Sequence, residues 1–227
     1  MQNEHESPVL VDFFAEREAK QRTFNELHER LMDALREYAC HALNLREKVR
    51  AKHIFRSKVN LSSEALLTPF WEAQYGIWLL LEYQNIKGER LIEKYLLDPD
   101  TDLPEQELHL AAHWMAAYPS VYRVEGAWEE GYRLTDVWGD EMIEVAFGDR
   151  EQVRSEFMIG QYIFARLTKV GFIHRVIGPY ALINREGIAE MKQKMEASFE
   201  QSKEENSQWS WRLFMQHHGI EVLRMHE

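Results

Sequence analysis

Apolar side chains recur at three- and four-residue steps through the first part of the chain. Phe24, Leu27, Leu31, Leu35, Tyr38 and Ala42 form one stripe, with Glu26, Glu29, Arg30, Arg36 and Glu37 mainly between them. That rhythm predicts a long amphipathic helix within 12–56, because no Gly or Pro interrupts it; a break is expected near Asn44 or around Ser57–Asn60. Ser62 or Ser63 is a candidate cap for the next helix, and Thr68-Pro69 offers a second start. Phe70, Trp71, Tyr75, Trp78, Leu79 and Tyr83 then crowd together as core material. A turn is expected at Gly88, a short helix ending at Asp98-Pro99, and a further helix between Pro104 and Pro119.

From Val121 the period shortens from about 3.6 to 2. "VYRVEGAW", "YRLTDVW", "EMIEVAF", "QYIFARLTKV", "FIHRVIG" and "YALIN" are rich in β-branched and aromatic residues. Gly126, Gly131, Gly139, Gly148, Gly160, Gly171 and Gly178 punctuate them. Short strands at about ten-residue spacing predict a small, strongly bent sheet. Residues 132–149 read as its central hairpin, with Gly139-Asp140 at the turn and a second Gly-Asp at Gly148-Asp149. Helical rhythm returns with Ile188, Met191, Met195 and Phe199 behind a cap at Asn184, and "WSWRLFMQHHGIEVLRMHE" reads as a final piece docked on the N-terminal helices. The expected fold is α+β: a helical N-terminal half (1–119) packed on a small antiparallel SH3-like or OB-like β-barrel (120–184), with C-terminal helices (185–227).

A chain of 227 residues with 45% hydrophobic and 12% aromatic side chains buries a sizeable core. The net charge of -11 argues against general binding to nucleic acid or anionic membranes. Cys40 is the one cysteine, which excludes an intramolecular disulfide and a Cys-rich zinc site; its helical setting predicts a buried or half-buried packing residue. No basic start precedes a long apolar run, and no window approaches the roughly 18 apolar residues of a membrane span, so the expected location is the cytoplasm.

Three spaced motifs, "IEKYLLDPDTDLPEQELHLAAHWMAAYPSVYRV", "YRLTDVWGDEMIEV" and "GQYIFARL", resemble a region of uncharacterised bacterial proteins of the SEC-C-motif-associated type. The resemblance covers about residues 70–190 and is tightest at Leu134, Asp136, Gly139, Val145, Gly160, Ala165, Arg166 and Leu167. It implies the same architecture and a housekeeping or adaptor role, and it supplies no catalytic residues. The chain departs from the pattern in lacking the zinc-binding cysteine cluster; His217, His218 and His226 do not replace it.

Candidate chemistry is sparse. His109 and His113 lie four apart on a helix and could face one metal ion, as in a metal-dependent hydrolase. Glu105 lies about 12 Å of helix from His113, too far for all three to share an ion. Arg46, Lys48, Arg50, Lys52, Arg56 and Lys58 form a basic stripe, readable as a nucleic-acid or acidic-partner surface, or as a solvated face paired with Asp98, Asp100 and Asp102. Asp136 and Arg166 on neighbouring strands read as a bidentate pair that locks the barrel, or as part of a ligand groove. Trp128, Tyr132, Trp138 and Phe147 could line such a groove or pack against the helices. Asp140, Glu141 and Glu144 read as a solvent-facing acidic tip, and His174 has no partner for proton transfer nearby in sequence. No phosphate loop, dinucleotide fingerprint, nucleophile elbow or HExxH occurs. The reading is a non-enzymatic binding or adaptor module, acting through the β-domain or the helix–barrel cleft. No cofactor is expected; the partner is another protein or peptide rather than nucleic acid or membrane, and the oligomeric state stays open.

Overall fold

The structure, a computed structural model, describes residues 8–147 and 157–225. Gly148-Asp149 and His226 lie outside the described residues. Five helices come first: α1 Pro8–Ala42, α2 Leu45–Lys58, α3 Pro69–Leu81, α4 Leu91–Leu97 and α5 Glu105–Ala116. Six strands follow: β1 Pro119–Trp128, β2 Gly131–Asp136, β3 Met142–Ala146, β4 Tyr162–Val170, β5 Ile173–Val176 and β6 Ala181–Ile183. The chain closes with α6 Ile188–Glu205, α7 Trp211–His218 and a 3-10 segment Gly219–Met225.

The caps explain the breaks. Asn44 separates α1 from α2, its side chain accepting from the Glu47 N–H at 2.9 Å. Thr68, not Ser62 or Ser63, caps α3, with Pro69 in the first turn, where its missing N–H costs nothing. Residues 61–67 are not helical, which corrects the expected start at the serines. Their slack is tied down by Arg56, whose guanidinium donates to the carbonyls of Ser63 and Ala65.

The strands close a five-stranded barrel in the order β1-β2-β3-β5-β4, with β1 pairing back onto β4, and β6 adds to the start of β4. All pairs are antiparallel except β3 with β5, where Val145 faces His174 and Ala146 faces Arg175 in parallel register. This refines the antiparallel expectation, and counting explains it. Direction cannot alternate all the way round a ring with an odd number of strands, so one pair runs parallel. The barrel interior holds Tyr122, Val124, Tyr132, Leu134, Val145, Phe147, Phe157, Ile163 and Ala165.

The helices pack on this barrel through two further apolar clusters. One joins α1, α3, α4 and α5 to Val170 and Ile177 of the barrel. The other joins α2 and α3 to Val121, Phe164 and Ala181, and to α6 and α7. The C-terminal segment does dock on the N-terminal helices: Lys58 donates to Glu221 at 3.0 Å and to the His217 carbonyl at 2.8 Å, and Arg224 donates to the Lys58 carbonyl at 2.5 Å.

At the joint between barrel and helices sits one buried ion pair. Arg166 leaves β4 toward α3, where its Nε and one terminal nitrogen bond both oxygens of Glu82 and the other terminal nitrogen donates to Gln74 Oε1 at 3.0 Å. Arg166 and Glu82 are both almost fully buried. Burial pushes the Glu82 carboxyl upward, and Arg166, with Lys58 and Arg90 further off, pulls it back down. The expected partner of Arg166 was Asp136. The correction follows from facing: Arg166 points out of the barrel to the helical layer, whereas Asp136, two residues after the core Leu134 and opposite Tyr122, lies on the inward face at the end of β2.

Two predictions follow from this core. Arg166→Met strands the Glu82 carboxylate in a dry interior and should cost about 3–5 kcal/mol, whereas the double variant with Glu82→Leu should recover most of it. Urea unfolding of the three proteins checks this; equal losses in single and double variants would show that the pair carries no such coupling. His28, buried edge-on against Trp114 at 5.0 Å, has its pKa lowered to about 4 by burial and then by Arg175. A neutral histidine in the folded state destabilises the protein as pH falls from the unfolded value near 6.5 toward 4, on the order of 1–2 kcal/mol at pH 5. His28→Phe should flatten that part of the pH–stability curve, and an unchanged slope would assign the acid sensitivity to other groups.

Candidate functional site

The residues singled out from sequence do not meet in one place. Tyr132 is a pillar of the barrel core, its hydroxyl accepting from the Phe157 N–H at 3.1 Å and its ring edge-on to Phe147 and Phe157. Phe147 is buried with it. Trp128 is half-buried at the far end of β1. Asp136 Oδ1 accepts from the Trp138 N–H at 2.9 Å. Trp138 itself packs on Trp211, ring centres 5.3 Å apart, under the C-terminal helices. Nearby, Lys192 of α6 donates to the Val137 carbonyl at 2.7 Å. Burial pushes the Asp136 carboxyl up; the Trp138 N–H, the Ser120 hydroxyl and Lys192 pull it back. The Val137 carbonyl and the Trp138 ring therefore join the barrel to α6 and α7, and Asp136 braces the turn that carries them. The acidic tip, Asp140, Glu141 and Glu144, is exposed as expected.

His109 and His113 are both exposed on α5, His109 lying 3.8 Å from Glu105. Among the described residues, no group of three or more His, Cys, Asp or Glu side chains is placed to hold a metal ion. Most of the basic stripe is engaged by partners within the chain, some at the surface. Lys48 donates to the Cys40 carbonyl, Arg50 pairs with Glu47 and Tyr83, Lys52 pairs with Glu72, Arg56 holds 63–65, and Lys58 holds the C-terminal segment. These partners replace the Asp98, Asp100 and Asp102 expected from sequence. Asp98 instead accepts from the Tyr38 hydroxyl at 2.9 Å.

A concave feature lies elsewhere, where α1, α3 and the β5–β6 loop meet. A cavity of about 650 Å³ runs between Arg36, Ala39 and Cys40 of α1, Ala73, Gly76 and Leu80 of α3, and Gly178-Pro179. A second, of about 340 Å³, shares Ala39, Cys40 and Leu79 with it and continues over Lys48, Val49 and Lys52 of α2 to Tyr75. The two form one largely apolar cleft among α1, α2 and α3, closed on one side by the β5–β6 loop. Volumes of this size suit a ligand or several side chains of a partner.

Local chemistry builds each wall. Gly178 adopts φ 73°, and a Cβ there would stand 2.4 Å from Ile77, so only glycine lets this loop press onto α3. Gln74 then holds the loop, its Nε2 donating to the Pro179 carbonyl at 3.2 Å. Lys48 caps the end of α1 through the Cys40 carbonyl at 3.1 Å. Tyr75 reaches the Lys48 carbonyl at 3.4 Å, and burial with Glu72 pushes its phenol up to about 12, so it remains a donor.

Gly76 is the position that sequence reading passed over. It sits inside α3, where glycine costs about 1 kcal/mol relative to alanine. A Cβ there would meet nothing within 4 Å. The fold's own packing therefore does not ask for glycine, and the missing side chain deepens the cleft floor. A helix-interior glycine with no turn or cap to serve was the available signal. Cys40, expected to pack inside, is exposed on the cleft side of α1 because the stripe that faces the core runs through Leu35, Ala39 and Leu43.

No family model, no curated protein and no solved structure matches this chain. Among the described residues, no helix is long and apolar enough to cross a membrane.

The setting of Asp136 makes a pH prediction. A carboxyl raised by burial stabilises the fold fully below its unfolded pKa near 3.9, and that contribution is lost as pH rises through the folded value. Asp136→Asn keeps the acceptor for the Trp138 N–H and should leave the protein at least as stable at pH 7, with a smaller difference between pH 4 and pH 7. Thermal melts at both values test it; a clear loss at pH 7 would mean that the ionised carboxylate is needed.

Proposed function

We propose that this protein is a non-enzymatic binding module, an adaptor that takes a segment of another protein into the cleft between α1, α2 and α3. The observation that carries the reading is Gly76: a destabilising residue in mid-helix, unexplained by internal packing, at the floor of an apolar cleft of about 650 Å³. Stability given up at a position that shapes a concavity points to use of that concavity. The surroundings agree with it. Val49 is 62% exposed at the cleft rim, and the small Ala39 and Ala73 leave room beside the larger Leu79 and Leu80. Kinship with the SEC-C-associated proteins belongs to the same proposal. Its tightest motif positions, among them Leu134, Val145 and Ala165, lie in the barrel core, so it speaks for the scaffold rather than the cleft. A cytoplasmic setting fits the acidic charge and the single exposed cysteine.

Two substitutions at one position separate folding from binding. Gly76→Ala should raise stability by about 0.5–1 kcal/mol. Gly76→Leu should fold with a similar melting temperature while filling the floor. Affinity capture from native lysate should then recover a partner with the wild-type chain and lose it with Gly76→Leu. The same partner held equally by both proteins would place the binding surface away from the cleft.

A further inference from the structure

Resting on the cleft as a binding site, we propose that its occupant is an acid-flanked amphipathic helix of another protein. Two features of the walls carry the choice. The first is the supply of backbone groups. The cleft is walled by side chains of α1, α2 and α3 and closed by one loop; none of its lining residues belongs to a β-strand. Two carbonyls at its edge are engaged, Cys40 by Lys48 and Pro179 by Gln74. An extended peptide would find no strand edge to pair with and would leave its N–H and C=O groups unmet against an apolar floor. A helix satisfies its own backbone and presents apolar anchors on one face, which is what a floor of small residues between two helices accepts.

The second feature is charge. Arg36, Lys48 and Lys52 line the cleft, against the single acid Glu72. This is a local positive excess in a chain of net charge -11. Two of these cations sit in exposed ion pairs: Lys52 with Glu72 at 2.9 Å, its ammonium also 5.9 Å from the centre of the Tyr75 ring, and Arg36 with Asp33 at 3.2 Å. Such pairs are worth little and exchange readily for a partner's carboxylates. The field of the cleft therefore favours acidic flanks on the incoming helix and slows a basic one. A second copy of this chain is disfavoured by the repulsion of two strongly acidic proteins.

The test uses the full chain and a display library of random peptides of about 16 residues, roughly 24 Å long as helices. Selected peptides are re-measured against Gly76→Leu, against Lys48→Glu/Lys52→Glu, and against Arg36→Gln/Lys52→Gln, a milder pair that keeps the comparison if charge reversal disturbs the fold. The rate of Cys40 alkylation by N-ethylmaleimide reports occupancy of the cleft. The expected result is a set rich in Asp and Glu, with apolar residues at helical spacing. These peptides should slow Cys40 alkylation, lose binding to Gly76→Leu, and weaken at least about tenfold on charge reversal and with added salt. Peptides that depend on Gly76 but are neutral or basic would overturn the acidic helix and leave the cleft standing. Absence of any Gly76-dependent peptide would overturn both. Concentration-dependent dimerisation that protects Cys40 would identify a second copy as the occupant and overturn the proposal.

Discussion

Arg166 is a full positive charge on a barrel strand with almost no access to water, and the arrangement of the helices follows from what that charge requires. It needs a carboxylate and further acceptors at fixed angles, and α3 with its C-terminal cap residue supplies both, as Glu82 and Gln74. An apolar contact between barrel and helix could slide by a fraction of a turn at modest cost. A bidentate guanidinium–carboxylate pair cannot, because each misalignment leaves a buried charge unmet. The orientation of Gln74 is set in the same stroke. With its oxygen facing Arg166, its nitrogen faces the β5–β6 loop and donates to the Pro179 carbonyl. One amide thus connects the buried charge to the wall of the cleft.

The cleft is a consequence of this geometry and of small residues placed along it. The β5–β6 loop is pressed onto Ile77 through Gly178, and α1 stands off α3 around Ala39, Ala73 and Gly76. A chain selected only for stability would fill that space. The charged forms of Asp136 and His28 are disfavoured by burial in the same way, yet each side chain has a role inside the molecule, bracing the Trp138 turn or packing against Trp114. Gly76 has no such role inside the molecule.

The positive side chains of α2 illustrate how an acidic protein uses its scarce cations. Lys58 and Arg224 tie the C-terminal 3-10 segment to α2 through Glu221 and the carbonyls of His217 and Lys58. Lys58 and His218 hold the Glu221 carboxyl down to about 2 against the opposing pull of burial. Arg50 is bound to Glu47 and Tyr83, and Arg56 to the 63–65 carbonyls. The stripe that looks in sequence like one surface is divided between internal fasteners and the cleft rim, where Lys48 and Lys52 remain.

Local pattern alone determined the elements. The three- and four-residue steps of α1, the Asn44 break, the Thr68-Pro69 start and the period of two after Val121 are short-range properties, since a turn of helix or a pleat is satisfied by near neighbours. The barrel was legible for the same reason, and so was the exposed acidic tip. Tertiary structure alone decided which charges meet and where the concavity lies. Arg166 finds Glu82 across 84 residues and Asp136 not at all, because facing across a curled sheet depends on register and on which layer covers each side. The parallel β3–β5 pair follows from ring closure, a property of the whole circuit. Cys40 and Gly76 acquire meaning only when α1 and α3 stand side by side, since a cleft is made by what two distant segments fail to fill.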